Sequence, residues 1–168
     1  EIENASLYEK GFQHLEKFIS EKGIYKIRAI TVCDDGYRLG NWISNCRVRY
    51  RRGELAKKYV ERFKRLRFPL DAEDEWQYHY EDLKAYFEKN DTKRLPEKYT
   101  AYDGTDLYLW FARQKRAYKK GELTKEQMKK FDDIGYPFKG EKSGIYKANM
   151  TKWLAKYEIV KEYLELHK

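Results

Sequence analysis

Apolar residues along the chain fall into short stripes at helical spacing, separated by charged positions and closed by glycine or proline. Tyr8, Phe12, Leu15, Phe18 and Ile19 line one face of residues 8–22, and Gly23 follows as a stop. Leu39, Trp42, Ile43, Cys46 and Tyr50 form a second stripe after the turn dipeptide Asp35-Gly36, ending at Gly53. Val60, Phe63 and Leu66 form a third, which Pro69 forbids to continue. The pattern predicts three short helices, preceded by a frayed, polar lead-in over residues 1–7.

All three stripes return 68 residues downstream, without an insertion. They read Trp76, Tyr80, Leu83, Tyr86, Phe87; then Leu107, Trp110, Phe111, Gln114, Tyr118 up to Gly121; then Met128, Phe131, Ile134 up to Gly135 and Pro137. The chain is therefore built from copies of one unit. A third copy of the first stripe appears at Trp153, Tyr157, Val160 and Tyr163, with the offset grown to 77. The predicted fold class is all-α: two tandem three-helix bundle repeats over 8–70 and 76–138, with 139–168 supplying a linker and the first helix of a truncated third repeat. Within each repeat, Ile24–Asp35 and Thr92–Asp103 read as extended loops that lay Ile27 and Leu95 onto the core. The acidic run Asp71–Glu75 reads as a linker between repeats. Thr124 and Gln127 have the form of a capping box at the start of the last helix, where the first repeat has Ala56.

Composition narrows the class. With 17% aromatic and 38% charged residues the chain is too apolar to stay disordered, and its 16 tyrosines and 4 tryptophans supply buried area to units near the lower size limit for folding. No apolar run approaches the roughly 18 residues that span a membrane, and no secretory signal is visible, so a cytoplasmic protein is expected. Cys33 and Cys46 are too few for a zinc site or a disulfide framework and fit a reducing compartment. The sequence opens on Glu1 rather than methionine, which suggests a fragment or a processed form.

Signatures of catalysis are missing from the pattern. There is no Gly-x4-Gly-Lys-Ser/Thr loop; Lys139-Gly140-Glu141-Lys142-Ser143-Gly144 has its composition but neither its spacing nor a preceding strand. His14, His79 and His167 read as lone surface histidines, and Asp34-Asp35 and Asp132-Asp133 as turn and helix-end residues. No enzyme activity, cofactor or metal is expected. At helical spacing with Leu39 and Ile43, Trp42 reads as core rather than as a base-stacking platform, and Trp110 likewise. Tyr50 and Tyr118, at the ends of their stripes, stay open between the two roles.

Charge is more informative. The net charge of +8 points to an anionic partner. On the second and third helices five positions are cationic in both repeats: Arg47/Lys115, Arg51/Lys119, Arg52/Lys120, Lys57/Lys125 and Arg62/Lys130. Charge that only solubilises has no reason to keep its place at a fixed offset, although cations near the end of the second helix also complement its dipole. These ten residues are the candidate nucleic-acid-binding surface, in the manner of a small helical module holding a phosphate backbone. Residues 8–70 hold 16 Lys and Arg against 7 Asp and Glu, a net of +9, whereas 76–138 hold 13 against 11, a net of +2. The first repeat is therefore expected to anchor binding and the second to add reach through the linker.

The string Asp-Gly-x-x-Leu-Gly-x-Trp-Ile-x3-Arg-x2-Tyr-x2-Gly-x-Leu from Asp35, closing in Leu-x-Phe-Pro-Leu at Leu70, resembles the helicase-associated domain. The second repeat departs from it at Lys115, and the first has Cys46 where Gln114 matches the usual glutamine. The resemblance covers 8–70, 76–138 and the opening helix from Trp153. It implies a three-helix fold, nucleic-acid binding with DNA ahead of RNA, and a bacterial parent that carries a helicase motor in the same polypeptide. The competing reading is a scaffolding array that docks an acidic protein partner.

Overall fold

The computed structural model of the chain describes residues 2–136 and 138. Their helices are α1 (Ile2–Lys22), α2 (Leu39–Arg51), α3 (Lys57–Arg65), α4 (Ala72–Asn90), α5 (Leu107–Lys120) and α6 (Lys125–Asp133). Each repeat thus contributes three helices in the same order, and the fold is all-α. The third copy of the first stripe lies outside the described residues. Contacts divide the chain into two units at Arg113/Gln114, inside α5.

In the first unit, α1, α2 and α3 close over Phe12, Leu15, Leu39, Ile43, Cys46 and Phe63. Phe68 and Leu70, from the segment after α3, complete that core. The stripes read from the sequence are its inner faces, since residues 3 and 4 apart on a helix lie side by side. Ile27 packs against the same cluster from the loop, and in the second repeat Leu95 is buried. Trp42 is half-buried, edge-on to Phe12 at 5.2 Å and tilted against Phe63 at 5.7 Å. Its indole lies where a Cβ on Gly11 would be, so Gly11 is small because the tryptophan crosses α1 there.

Two expectations about the segments flanking the first repeat fail. Residues 2–7 are helical rather than frayed. Tyr8 anchors this end of α1, stacking on Tyr59 of α3 with centroids 4.0 Å apart, and Glu9 one residue on is ion-paired to Arg62. Nor is Asp71–Glu75 a linker. Asp71 is the N-cap of α4, its side chain accepting from the Asp74 amide, and the Asp74 carboxylate accepts from the Leu70 amide. The acids are the first turn of a helix, where carboxylates complement free amides and the dipole. The repeats therefore follow one another without a flexible connection.

Arg67 holds that junction. It is left-handed at φ 50°, where the second repeat has Gly135 at φ 65°. A non-glycine residue is strained there, and the side chain offsets the strain. Its guanidinium donates to the Tyr78 carbonyl at 2.9 Å, pairs with Asp82 at 2.8 Å and lies over the Tyr102 ring at 4.3 Å. The Asp82 carboxylate also accepts from the Tyr102 amide.

Both repeats tie their first helix to the Asp-Gly turn through a histidine, from different helical positions. His14 Nε2 donates to the Asp35 carboxylate at 2.8 Å, and the ring stacks on Tyr37. In the second repeat the place of His14 is Asp82, and the histidine is His79, at the place of Gly11. His79 is 2% exposed, not a surface residue as expected. Its ring stacks on Trp110 at 5.4 Å, and its Nε2 reaches Thr105 Oγ1 at 2.9 Å and Asp103 at 3.3 Å. Where the first repeat leaves glycine for the tryptophan, the second inserts an imidazole beneath it.

In the second unit the Thr124–Gln127 capping box forms with both of its hydrogen bonds, and Ala56 at the matching place in the first unit offers none. Tyr118 stacks on Phe138 at 4.4 Å, which makes it a packing residue.

Candidate nucleic-acid interface

The ten predicted cations separate by what holds them. Arg47 donates to the Pro69 carbonyl at 3.0 Å and lies over the Phe68 ring at 5.4 Å; burial lowers its pKa, which still leaves it charged. Lys115 sits over the Tyr136 ring at 5.8 Å. Phe68 and Tyr136 are themselves 68 residues apart. The cation at this position is thus accounted for by an internal cation–π contact present in both repeats.

Arg62 is engaged more completely. It reaches Glu9 at 2.6 Å and Glu16 at 3.0 Å, and its guanidinium lies 4.4 Å from the centre of the Phe12 ring. The hydrogen bond to Glu9 raises the arginine's pKa, and the same bond lowers that of Glu9. Arg62 therefore locks α3 onto α1 and does not face outward with the others. Lys130, its counterpart, is half-buried on α6.

The remaining six converge on two corners. In the first unit, Arg51 is the last residue of α2, Arg52 its C-cap and Lys57 the first residue of α3, joined by Gly53–Ala56. All three are exposed, and none makes an ion pair among the described residues. In the second unit, Lys119 and Lys120 end α5 and Lys125 opens α6. Lys119 and Lys125 make no ion pair among the described residues, while Lys120 pairs with Glu122 at 3.7 Å. The helix dipole accounts for Arg51 and Arg52 at a C-terminus, but it opposes Lys57 and Lys58 at the N-terminus of α3, where the first turn has no acid and no side-chain cap.

A cleft of about 550 Å³ adjoins the first corner. Tyr8, Tyr37 and Trp42 form aromatic walls, and Asn45, Arg49, Arg52 and Glu54 bring polar groups to it. Arg49 escaped the sequence reading because Ala117 stands at its place in the second repeat, so a search for cations common to both copies discards it. Its guanidinium donates to the Tyr8 hydroxyl at 3.1 Å and makes no ion pair among the described residues. The roles of Arg67 and His79 were not legible for a different reason: their partners come from other elements of the fold.

Among the described residues no group of three or more His, Cys, Asp or Glu side chains comes together to hold a metal. Cys33 and Cys46 are free thiols, and burial pushes Cys46 up to about 12, far from a reactive thiolate. No described helix is long and apolar enough to cross a membrane.

The model of the helicase associated domain (HA) family matches residues 6–71 and again residues 73–139. The chain belongs to that family. Its two HA matches reproduce the tandem repeat read from the offset of 68, and the second begins at the capped first turn of α4. No curated protein and no solved structure matches the chain significantly.

Proposed function

We propose that these HA repeats form a nucleic-acid-binding accessory module of a larger, bacterial, cytoplasmic helicase-like protein, with the ATP-driven motor elsewhere in that polypeptide. DNA is the expected nucleic acid, held through its phosphates. The observation that supports this is the pair of cationic corners, Arg51, Arg52 and Lys57 in one and Lys119, Lys120 and Lys125 in the other. Five of these six side chains have no carboxylate partner among the described residues. Cations that the fold does not neutralise, at matching ends of matching helices, suit a repeating polyanion. Arg47, Lys115 and Arg62 are left out of the binding set because internal partners account for them. The first corner is the anchor in this reading, since two of its three cations are arginines, whose planar fork suits phosphate.

Salt dependence tests it. If about six phosphates are neutralised, log K falls against log salt with a slope near −5, a loss of roughly a thousandfold between 50 and 200 mM. Fluorescence anisotropy of a labelled DNA measures it. A flat dependence, or no binding at low salt, would overturn the reading and leave an acidic protein surface as the partner to test.

A further inference from the structure

We propose that the cleft between α1 and α2 of the first HA repeat takes one unstacked nucleotide, so that the module grips single-stranded nucleic acid in preference to duplex. The inference rests on the nucleic-acid reading above and deepens it by naming the form of the ligand.

The volume comes first. About 550 Å³ lies within the range of roughly 300–1,000 Å³ typical of small-ligand sites, whereas a duplex keeps its bases stacked and offers nothing to fill such a space. The walls come next. Tyr8, Tyr37 and Trp42 are aromatic, the surface on which unstacked bases are held regardless of sequence. Tyr8 is kept in place by stacking on Tyr59, and Trp42 by Phe12 and Phe63, so the walls are supported from behind. Asn45 and Glu54 line the same space and offer an amide and a carboxylate to a base edge.

The charges decide between a base and an apolar ligand. Arg49 and Arg52 both line the cleft, three residues apart on the α2 side. Neither makes an ion pair among the described residues. Arg52 also belongs to the cationic corner, so the cleft and the phosphate-binding surface share a side chain. A strand whose phosphates follow Arg51, Arg52 and Lys57 brings one base to the cleft mouth. Leu7, 62% exposed at the rim, supplies an apolar edge of the kind a base covers. The matching positions of the second repeat carry Ala117 for Arg49 and Arg113 for Asn45, so the second repeat lacks these two lining residues.

The test uses the full chain, a labelled oligodeoxynucleotide single strand, and the duplex of the same sequence, at one fixed salt concentration. Arg49→Gln removes a cleft cation outside the corner. Asn45→Trp fills the cleft from an exposed position. Arg51→Gln with Lys57→Gln weakens the corner and leaves the cleft lining intact. Circular dichroism and a thermal melt confirm that each variant is folded as the parent. The expected result is a preference for the single strand in the parent. Arg49→Gln and Asn45→Trp each lose about tenfold or more on the single strand, with duplex binding within about twofold. The corner variant loses on both ligands. Equal losses on both ligands from Arg49→Gln, or an unaffected single strand in Asn45→Trp, would overturn the cleft while leaving the phosphate-binding reading standing. A corner variant that binds both ligands like the parent would remove the reading on which the cleft depends.

Discussion

Arg67 offers a test in which backbone and side chain act in opposite directions. Its φ of 50° is strained for any residue with a Cβ, and Gly135 at the equivalent place shows what relieves it. Replacement by alanine keeps the strain and removes the clamp. The loss includes a charge-assisted hydrogen bond to the Tyr78 carbonyl, the pair with Asp82 and the contact over Tyr102. The side chain is 35% exposed and its Nε is buried without a hydrogen-bond partner among the described residues, so the low end of the usual range applies. Hydrogen bonds to charged groups contribute about 1.5–3 kcal/mol, and a cation over a ring about 0.5–1 kcal/mol. Arg67→Ala is therefore expected to destabilise by about 2 kcal/mol. Arg67→Gly loses the same clamp but releases the left-handed strain, and should be more stable than the alanine variant by about 1 kcal/mol. Urea unfolding followed by circular dichroism gives both values, provided the slopes agree. If alanine equals or exceeds glycine, the backbone at 67 is not strained. If both match the parent, the junction does not depend on this side chain.

Three further outcomes follow from the geometry. Burial pulls the His79 pKa down, but the Asp103 hydrogen bond, the Glu75 carbonyl and both charges outweigh it, so the net shift is upward; Asp103, opposed by burial, is held low by His79 and Thr105. The histidine's contribution is present in full below its unfolded value near 6.5 and is lost as pH rises through its higher folded value. The aspartate's is present above about 3.9 and is lost as pH falls through its lower folded value. Thermal midpoints should therefore decline as pH rises past about 6.5, and Asp103→Asn should shrink or abolish that decline; an unchanged profile would refute the coupling. Thr124→Ala should lower stability by about 1 kcal/mol and Ala56→Ser should raise it by a similar amount, measured by denaturant melts. Gly11→Ala drives a methyl into the Trp42 indole, which Phe12 and Phe63 hold, and should destabilise by about 1–3 kcal/mol with a change in tryptophan emission.

The helices, their inner faces and the repeat were legible in the chain itself, because a stripe such as Leu39, Ile43 and Cys46 is a local consequence of 3.6 residues per turn. Likewise the Thr124–Gln127 cap needs only neighbours three residues apart, and the glycine stops only a backbone free to turn left-handed. The charges were legible as a list but not as a site. Arg47, Arg51 and Arg62 look alike in sequence, and only the folded chain shows one bonded to the Pro69 carbonyl, one with no ion pair among the described residues and one between Glu9 and Glu16. Those partners are 22 and more than 40 residues away, beyond the reach of periodicity. The same holds for the acidic run at Asp71, whose meaning changes from linker to helix cap once the Asp74 amide is seen to bond it. Side-chain spacing along one helix is set by the chain's own geometry; which cation meets which carboxylate, and which is left to face a ligand, is set by how separate helices pack.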